Sequence, residues 1–183
     1  NRLQADINLM ADDKTGVKVY TEEQDSTMLQ DLTVSLNRIN LSEWTSVIPY
    51  LPRMSGLLNG DYHIVMDSKQ HISVVSDMEV HDMAYEGSQI GNLSTELVYM
   101  QREDDGHAVE ARLMLDDKEF GLLRGSYYAA EESQQADKKP RIDATFTMTR
   151  FPLSIANGFV TDQIIGLEGY GEGELSIKGQ LEY

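Results

Sequence analysis

Apolar and polar residues alternate along most of this chain, and this period of two is typical of β-strands that bury only one face. Near the end of the chain, for example, Ile142 and Phe146 alternate with Asp143 and Thr147. The pattern predicts about ten strands, a count that rests on periodicity alone. The predicted strands cover residues 3–10, 17–21, 32–36, 61–66, 72–75, a segment around Met78 and Val80, 93–100, 109–115, 120–128, 142–148 and 175–181.

Short acidic segments, at 12–16, 67–70, 103–106 and 116–118, separate several of these strands. Because such short connections join strands that run in opposite directions, we expect an antiparallel meander. The segment 129–140 is longer, polar and without periodicity, which predicts a loop.

Two short segments show helical spacing instead. In the first, Ser42 is the expected N-cap, and Pro49 and Pro52 end the helix. Trp44 is expected to pack this helix against the sheet, with a partner-binding anchor as the alternative. The second segment follows Pro152, which suits the first turn of a helix. Its rough apolar face consists of Leu153, Ile155, Phe159, Ile164 and Ile165.

The two helical segments have similar surroundings in the sequence. Each follows a strand and precedes glycines and a further strand. The glycines and the next strand match at one constant offset, Gly56 with Gly169, Gly60 with Gly173 and Ile64 with Ile177. This predicts a possible internal repeat of strand, helix, glycine turn and strand over residues 32–66 and 141–179.

Almost every predicted strand has one apolar and one polar row, so the sheet favours burying a single face. Two short helices cannot cover some ten strands, and a sheet of that size curls, closes or folds over. We therefore expect one mostly β domain over residues 1–183, a curved antiparallel meander folded into a taco-like or clam-like apolar trough with two short helices. The residues expected to line the trough are Leu32, Val34, Leu36, Ile64, Ile72, Val74, Leu97, Ala111, Leu113, Leu115, Ile142, Phe146, Met148, Leu175 and Ile177.

The composition of the chain mainly excludes certain classes of function. The chain has 31 acidic and 15 basic residues, a formal net charge of −16, which argues against binding nucleic acid or docking on anionic headgroups. It contains no cysteine, so it has no disulfide or thiol chemistry. No stretch approaches the roughly 18 apolar residues of a membrane helix. Both ends break off in strand-like sequence, and we expect a piece of a longer protein.

Catalytic and metal-binding patterns are weak. The four histidines, His63, His71, His81 and His107, lack paired ligand spacing, and His81 beside Asp82 is the nearest approach to a zinc site. The aspartate pairs at 12–13 and 104–105 lack the ligand set of a calcium loop and predict hairpin turns. The glycines at 169–173 have no following Lys-Ser/Thr, and no serine lies in a Gly-x-Ser-x-Gly elbow. We expect no enzyme activity, cofactor or metal.

Two stretches resemble the recurring segment of TamB-like translocation and assembly module proteins, in the form found in Bacteroidetes-type bacteria, within the wider AsmA-like group. One is TRFPLSI at 149–155 with Phe159 and GLEGYGEGELSIKG at 166–179. The other is LSEWT at 41–45 with SGLLNG at 55–60 and the alternating strands that follow. The resemblance spans most of the chain and is strongest over 32–66 and 141–183. Its motifs are mainly glycines and alternation.

This resemblance implies a periplasmic protein of outer-membrane biogenesis and protein secretion, anchored to the inner membrane by an N-terminal helix outside this sequence. It implies a β-taco with a hydrophobic groove that shields phospholipid acyl chains during phospholipid transport across the cell envelope, or nascent outer-membrane protein strands. The implied partner is a barrel-assembly protein of the TamA or BamA type. The alternative is an exported all-β structural or carbohydrate-binding module with a closed core. A hydrolase has no supporting motif, although a carboxylate pair distant in sequence stays open.

Overall fold

A computed structural model describes residues 4–21, 28–48, 52–102, 106–128, 140–156 and 167–180 of the chain. The strands are β1 (Asp6–Met10), β2 (Gly16–Thr21), β3 (Gln30–Asn40), β4 (Met54–Met66), β5 (Ile72–Tyr85), β6 (Ser88–Gln101), β7 (Gly106–Leu115), β8 (Lys118–Tyr128), β9 (Arg141–Pro152) and β10 (Tyr170–Gln180). The helices are α1 (Leu41–Val47), between β3 and β4, and α2 (Leu153–Ala156), between β9 and β10.

All ten strands belong to one sheet, and their order in the sheet is their order in the chain. Each strand pairs with the next one in antiparallel orientation. Within the described residues the sheet is open, because β1 and β10 each pair with a single neighbour. The predicted fold class, a mostly β antiparallel meander with two short helices, is confirmed.

Two of the hairpin turns match the twist of the strands they join. Glu86 and Gly87 connect β5 to β6 with φ angles of 46° and 83°, and Asp116 and Asp117 connect β7 to β8 with 47° and 62°. Two successive residues at positive φ are typical of a type I′ turn, whose twist suits antiparallel strands. The predicted turn at 116–118 is therefore confirmed, and it is two residues long.

Several predicted boundaries are wrong. Residues 72–75 and the segment around Met78 form one strand, β5. The predicted glycine turn after α1 is also strand, because β4 already begins at Met54. Gly56 instead occupies an irregular position in the pairing of β4 with β5, at a φ of 131°. A Cβ atom there would lie 2.8 Å from the carbonyl oxygen of His81, so close backbone approach explains the glycine.

Three of the β-bulges place a non-glycine residue at positive φ near the end of the sheet where the helices attach. Arg38 in β3, Asp82 in β5 and Arg150 in β9 have φ angles of 51°, 52° and 53°, and the pairing shifts at each. The Arg38 amide donates a 2.9 Å hydrogen bond to the Asn59 side chain, and the Asp82 amide donates a 3.1 Å bond to Asn92. These asparagines satisfy backbone groups that the bulges remove from the ladder.

Each bulge also shifts the phase of the apolar alternation. Its strand has an apolar-x-x-apolar spacing in place of apolar-x-apolar, at Leu36 and Ile39, at Val80 and Met83, and at Met148 and Phe151. The register keeps both members of each pair on the same face of the sheet. A bulge inserts one residue, so the spacing of three is the sequence signal of these bulges.

The two helices differ from expectation in their details. The N-cap of α1 is Asn40, whose side-chain oxygen accepts a 3.1 Å hydrogen bond from the Ser42 amide, so the predicted Ser42 cap is wrong. Trp44 is 53% exposed, which contradicts its predicted burial against the sheet. In α2, Leu153 and Ile155 are half-buried, whereas Phe159, Ile164 and Ile165 lie outside the described residues.

The sheet curls towards the side on which α2 lies. This helix follows β9 in the chain but contacts β6, on the far side of β7 and β8. Near it, the ring of Phe151 meets the rings of Phe120 and Phe146 edge-on, with centroids 5.6 and 6.2 Å apart. Edge-to-face contacts of this kind add to the free energy gained by burying the rings. We call these three residues the phenylalanine cluster; together with α2 it packs one end of the sheet.

We expect Phe120→Ala to lower the free energy of unfolding by about 3 kcal/mol, because truncating a buried ring removes apolar contacts and leaves a cavity. Phe120 is 5% exposed and lies at an irregularity in the pairing of β7 with β8. Urea denaturation followed by circular dichroism measures the change. Leu9→Ala, on the exposed first strand, is the control, and a similar loss in both variants would contradict a core at the phenylalanine cluster.

Because the sheet is open, the outer edge of β10 pairs with no other described strand. Leu175 and Ile177 on this strand are 60% and 65% exposed. Exposed strand edges with apolar side chains favour pairing between chains. We expect Ile177→Glu to reduce concentration-dependent association in sedimentation velocity. Thr147→Glu, on the polar side of the neighbouring strand β9, adds the same charge and should leave association unchanged; equal effects would show that charge alone is responsible.

Candidate functional site

The register places every predicted lining residue, from Leu32 on β3 to Ile177 on β10, on one face of the sheet. Residues directly opposite each other in an antiparallel pair share a face, so the pairing can be followed from strand to strand. One such row runs Val19, Val34, Tyr62, Ser76, Leu97, Ala111, Leu123, Phe146 and Leu175. We call this the apolar face and the opposite one the polar face.

A groove of about 480 Å³ lies on the apolar face, over strands β6 to β9. Its floor is a row of small or narrow side chains, because Val109 pairs with Gly125 and Gly125 pairs with Ala144. A Cβ atom added to Gly125 would lie 3.3 Å from a methyl group of Val109, so the strands approach closely here. The walls are larger side chains, and the lining consists of Tyr99, His107, Ala108, Val109, Leu123, Gly125, Ser126, Tyr127, Ile142 and Ala144.

The side of the groove towards the helices is apolar. Leu123 pairs directly with Phe146, whose ring lies over Gly121 so closely that a Cβ atom there would be 2.7 Å from it. Phe146 in turn contacts Phe151 of the phenylalanine cluster. The lining residue Leu123 therefore borders the phenylalanine cluster, and no charged carboxylate, lysine or arginine side chain lines this groove.

The opposite end of the groove carries polar atoms. Tyr99 and His107 are joined by a 2.7 Å hydrogen bond between the phenol oxygen and Nδ1. Their rings are nearly parallel, with centroids 6.0 Å apart, and the centroid of the Tyr127 ring lies 5.9 Å from that of the imidazole. We call these three residues the tyrosine–histidine cluster. The sequence pattern did not single out this cluster, although the odd-numbered positions of β6, β7 and β8 share the phase of Leu97, Ala111 and Leu113.

The polar face carries cross-strand ion pairs. Arg112 lies 3.1 Å from Glu96 and 3.0 Å from Glu119, and Arg124 lies 2.9 Å from Glu110. Exposed pairs of this kind contribute little to stability, and their main effect is to keep this face hydrated. A second groove, of about 510 Å³, lies on this side, but Glu110, Arg124 and Asp143 line it.

The groups with shifted pKa values lie in turns and not in the groove. The pKa of Asp12 is lowered by hydrogen bonds from the Lys14 and Thr15 amides, and that of Asp67 mainly by the His71 amide. The pKa of Glu86 is lowered chiefly by the Arg53 amide. These carboxylates stabilise turn backbone, which agrees with the hairpin interpretation of 12–13.

No cluster of metal-ligating side chains occurs in the part of the chain that the structure describes. His81 lies 3.3 Å from Glu79 and not in a ligand pair with Asp82. His63 contacts the buried Asp31 at 2.6 Å on the polar face, and His71 contacts Asp67 within its own turn. Among the described histidines, only His107 lies in the lining of the apolar groove.

Comparison with known proteins does not assign the chain: no family model, curated protein or solved structure matches it. None of the described helices has the length and apolar character needed to cross a membrane.

We expect Ala144→Phe to reduce binding of an environment-sensitive naphthylamine dye about tenfold, because the new ring would occupy the floor of the groove. Thr145→Phe, the next residue on β9, places the same ring on the polar face and should leave dye binding unchanged. Dye fluorescence titrations measure both. Equal dye binding by the unsubstituted protein and both variants would contradict the groove as the apolar binding site.

Proposed function

We propose that this chain is a non-enzymatic segment of a TamB/AsmA-like envelope protein, whose apolar face shields phospholipid acyl chains between the inner and outer membranes. The observation that carries the proposal is a groove lined almost entirely by carbon on the face of an open sheet. Its volume is within the range of about 300–1,000 Å³ typical of small-molecule sites. The resemblance in 32–66 and 141–183 supports the family, the periplasmic location and the barrel-assembly partner.

The chemistry of the lining favours a hydrocarbon ligand. Transfer of an acyl chain from water stabilises the complex by roughly 0.8 kcal/mol for each buried CH₂ group. Val109, Leu123, Ile142 and Ala144 present carbon to the ligand over the middle of the groove. A hydrocarbon chain needs no hydrogen-bond partner there, so none of its binding free energy is lost to unsatisfied polar atoms.

An unfolded outer-membrane strand fits the same groove less well. Strands β6 to β9 each pair with a neighbour on both sides, so their backbone groups are already used by the sheet. A polypeptide lying across them would bury peptide groups without partners, at a cost of about 1–3 kcal/mol for each group. We therefore favour acyl chains over nascent strands as the occupant.

A closed-core binding module is also less compatible with these residues. In such a module the apolar face would be covered by a second layer, whereas the described strands form one open sheet that the two short helices contact mainly at β4 and β6. Carbohydrate binding would require several polar side chains along the site. In the groove the polar residues are confined to one end, at Tyr99, His107, Ser126 and Tyr127.

The test is photo-crosslinking in cells with the full-length protein that contains this segment. A photoactivatable residue replaces Leu113 or Ile142 on the apolar face, with Thr147 and Lys178 on the polar face as matched outward controls. We expect phospholipid adducts at the inward positions at least about tenfold above the controls, since the groove on the apolar face is lined almost entirely by carbon whereas charged side chains line the groove on the polar face. Mass spectrometry of the purified adducts identifies the ligand.

Two outcomes would contradict this function. Adducts of equal yield on both faces would indicate non-specific contact with membranes. Protein adducts in place of lipid at Leu113 and Ile142 would favour a chaperone role for outer-membrane strands.

A further inference from the structure

The lining residues that carry polar groups lie at the end of the groove away from the helices. His107 pairs directly with Tyr127 across β7 and β8, and Gly125 and Ala144 lie one row further in. The tyrosine–histidine cluster thus lies at one end of the groove, and Leu123, which pairs with Phe146, lies at the other. An acyl ligand has the same asymmetry, with one polar head and one methyl end.

The cluster holds the imidazole in a defined orientation. The 2.7 Å hydrogen bond to Tyr99, whose ring is inclined by 16° to the imidazole, and the neighbouring Tyr127 ring restrict rotation of the imidazole. When the Tyr99 phenol donates its hydrogen to Nδ1, the hydrogen of the neutral imidazole is on Nε2, which then acts as a donor. Within the described residues Nε2 has no hydrogen-bond partner. All three side chains are half-buried, so the cluster remains accessible from the groove.

The charge of the protein limits what this end can recognise. The net charge of −16 disfavours a site that relies on long-range attraction of anions. A phenol and an imidazole N–H recognise an oxygen acceptor at short range and need no formal charge. Carboxylate, phosphate and ester oxygens all meet this requirement.

We propose that the tyrosine–histidine cluster is a head-group subsite, in which His107 Nε2–H donates a hydrogen bond to an oxygen of the polar head of a single-chain lipid. Tyr99 fixes the imidazole tautomer, and the acyl chain runs from this end towards Phe146. The proposal rests on the acyl-binding function above and adds the orientation of the ligand and the group that recognises its head. Strand β9 spans the two ends, with Ile142 beside Tyr127 and Phe146 beside Leu123.

The binding test uses purified protein and three ligands that share a chain length: palmitic acid, palmitoyl lysophosphatidic acid and hexadecane. Displacement of the naphthylamine dye gives the affinities. We expect His107→Leu to weaken binding of the two ligands with heads about tenfold, as for the loss of one good hydrogen bond, and to leave hexadecane unchanged. Tyr99→Phe keeps the ring and removes the hydroxyl group, and it should weaken the binding of the same two ligands.

Control variants separate this proposal from the acyl-binding function. Ala144→Phe should weaken the binding of all three ligands, and Thr145→Phe should leave the binding of all three unchanged. If His107→Leu and Tyr99→Phe leave the headed ligands unchanged while Ala144→Phe weakens them, the head-group subsite is overturned and the acyl groove stands. If Ala144→Phe also has no effect, both are overturned. Displacement of the dye by inorganic phosphate alone would overturn the subsite as well, because it would show an anion site independent of the chain.

Orientation gives an independent test that does not depend on the variants folding. Palmitic acid with a nitroxide near its methyl end should broaden the NMR signals of Leu113 and Ala111 more than those of Tyr127. The opposite pattern would place the head at the phenylalanine cluster and overturn the proposed direction.

Discussion

The register of the antiparallel pairs is the constraint on which the rest of this structure depends. Because side chains alternate with a period of two, a slip of one residue between neighbouring strands would move an entire apolar row to the polar face. Nine successive pairings keep the rows aligned across ten strands. Short turns such as Asp116–Asp117 fix the register locally, and the apolar rows reinforce it since a slip would expose them to water.

The bulges allow the sheet to change direction without losing this alignment. At Arg38, Asp82 and Arg150 one extra residue bends the strand, and a matching change of spacing returns the next apolar residue to the same face. The bends lie near the attached helices, where the phenylalanine cluster and α2 pack the apolar face. The other end remains open, and this difference gives the groove its two unlike ends.

The apolar face can act as a binding surface because the described strands form a single layer. Among the described strands no second sheet covers the apolar face, and small residues at Gly125 and Ala144 leave a depression between larger neighbours. The strands β6 to β9 each pair with a neighbour on both sides, so the surface offers carbon to a ligand and little else. These features are better suited to a hydrocarbon chain than to a peptide or a sugar. The tyrosine–histidine cluster adds polarity where a head group would need it.

Alternation alone determined the strands, the meander and the face on which Leu32, Ala111 and Ile177 lie, because the period of two and the short acidic turns are local properties of the chain. Even the bulges were present in the sequence as spacings of three. The groove was decided only by tertiary structure: it exists because Gly125 pairs with Ala144 while Tyr99, His107 and Tyr127 meet at one end. These residues come from four strands, and which of them become neighbours depends on register and curvature, which no single stretch of sequence contains.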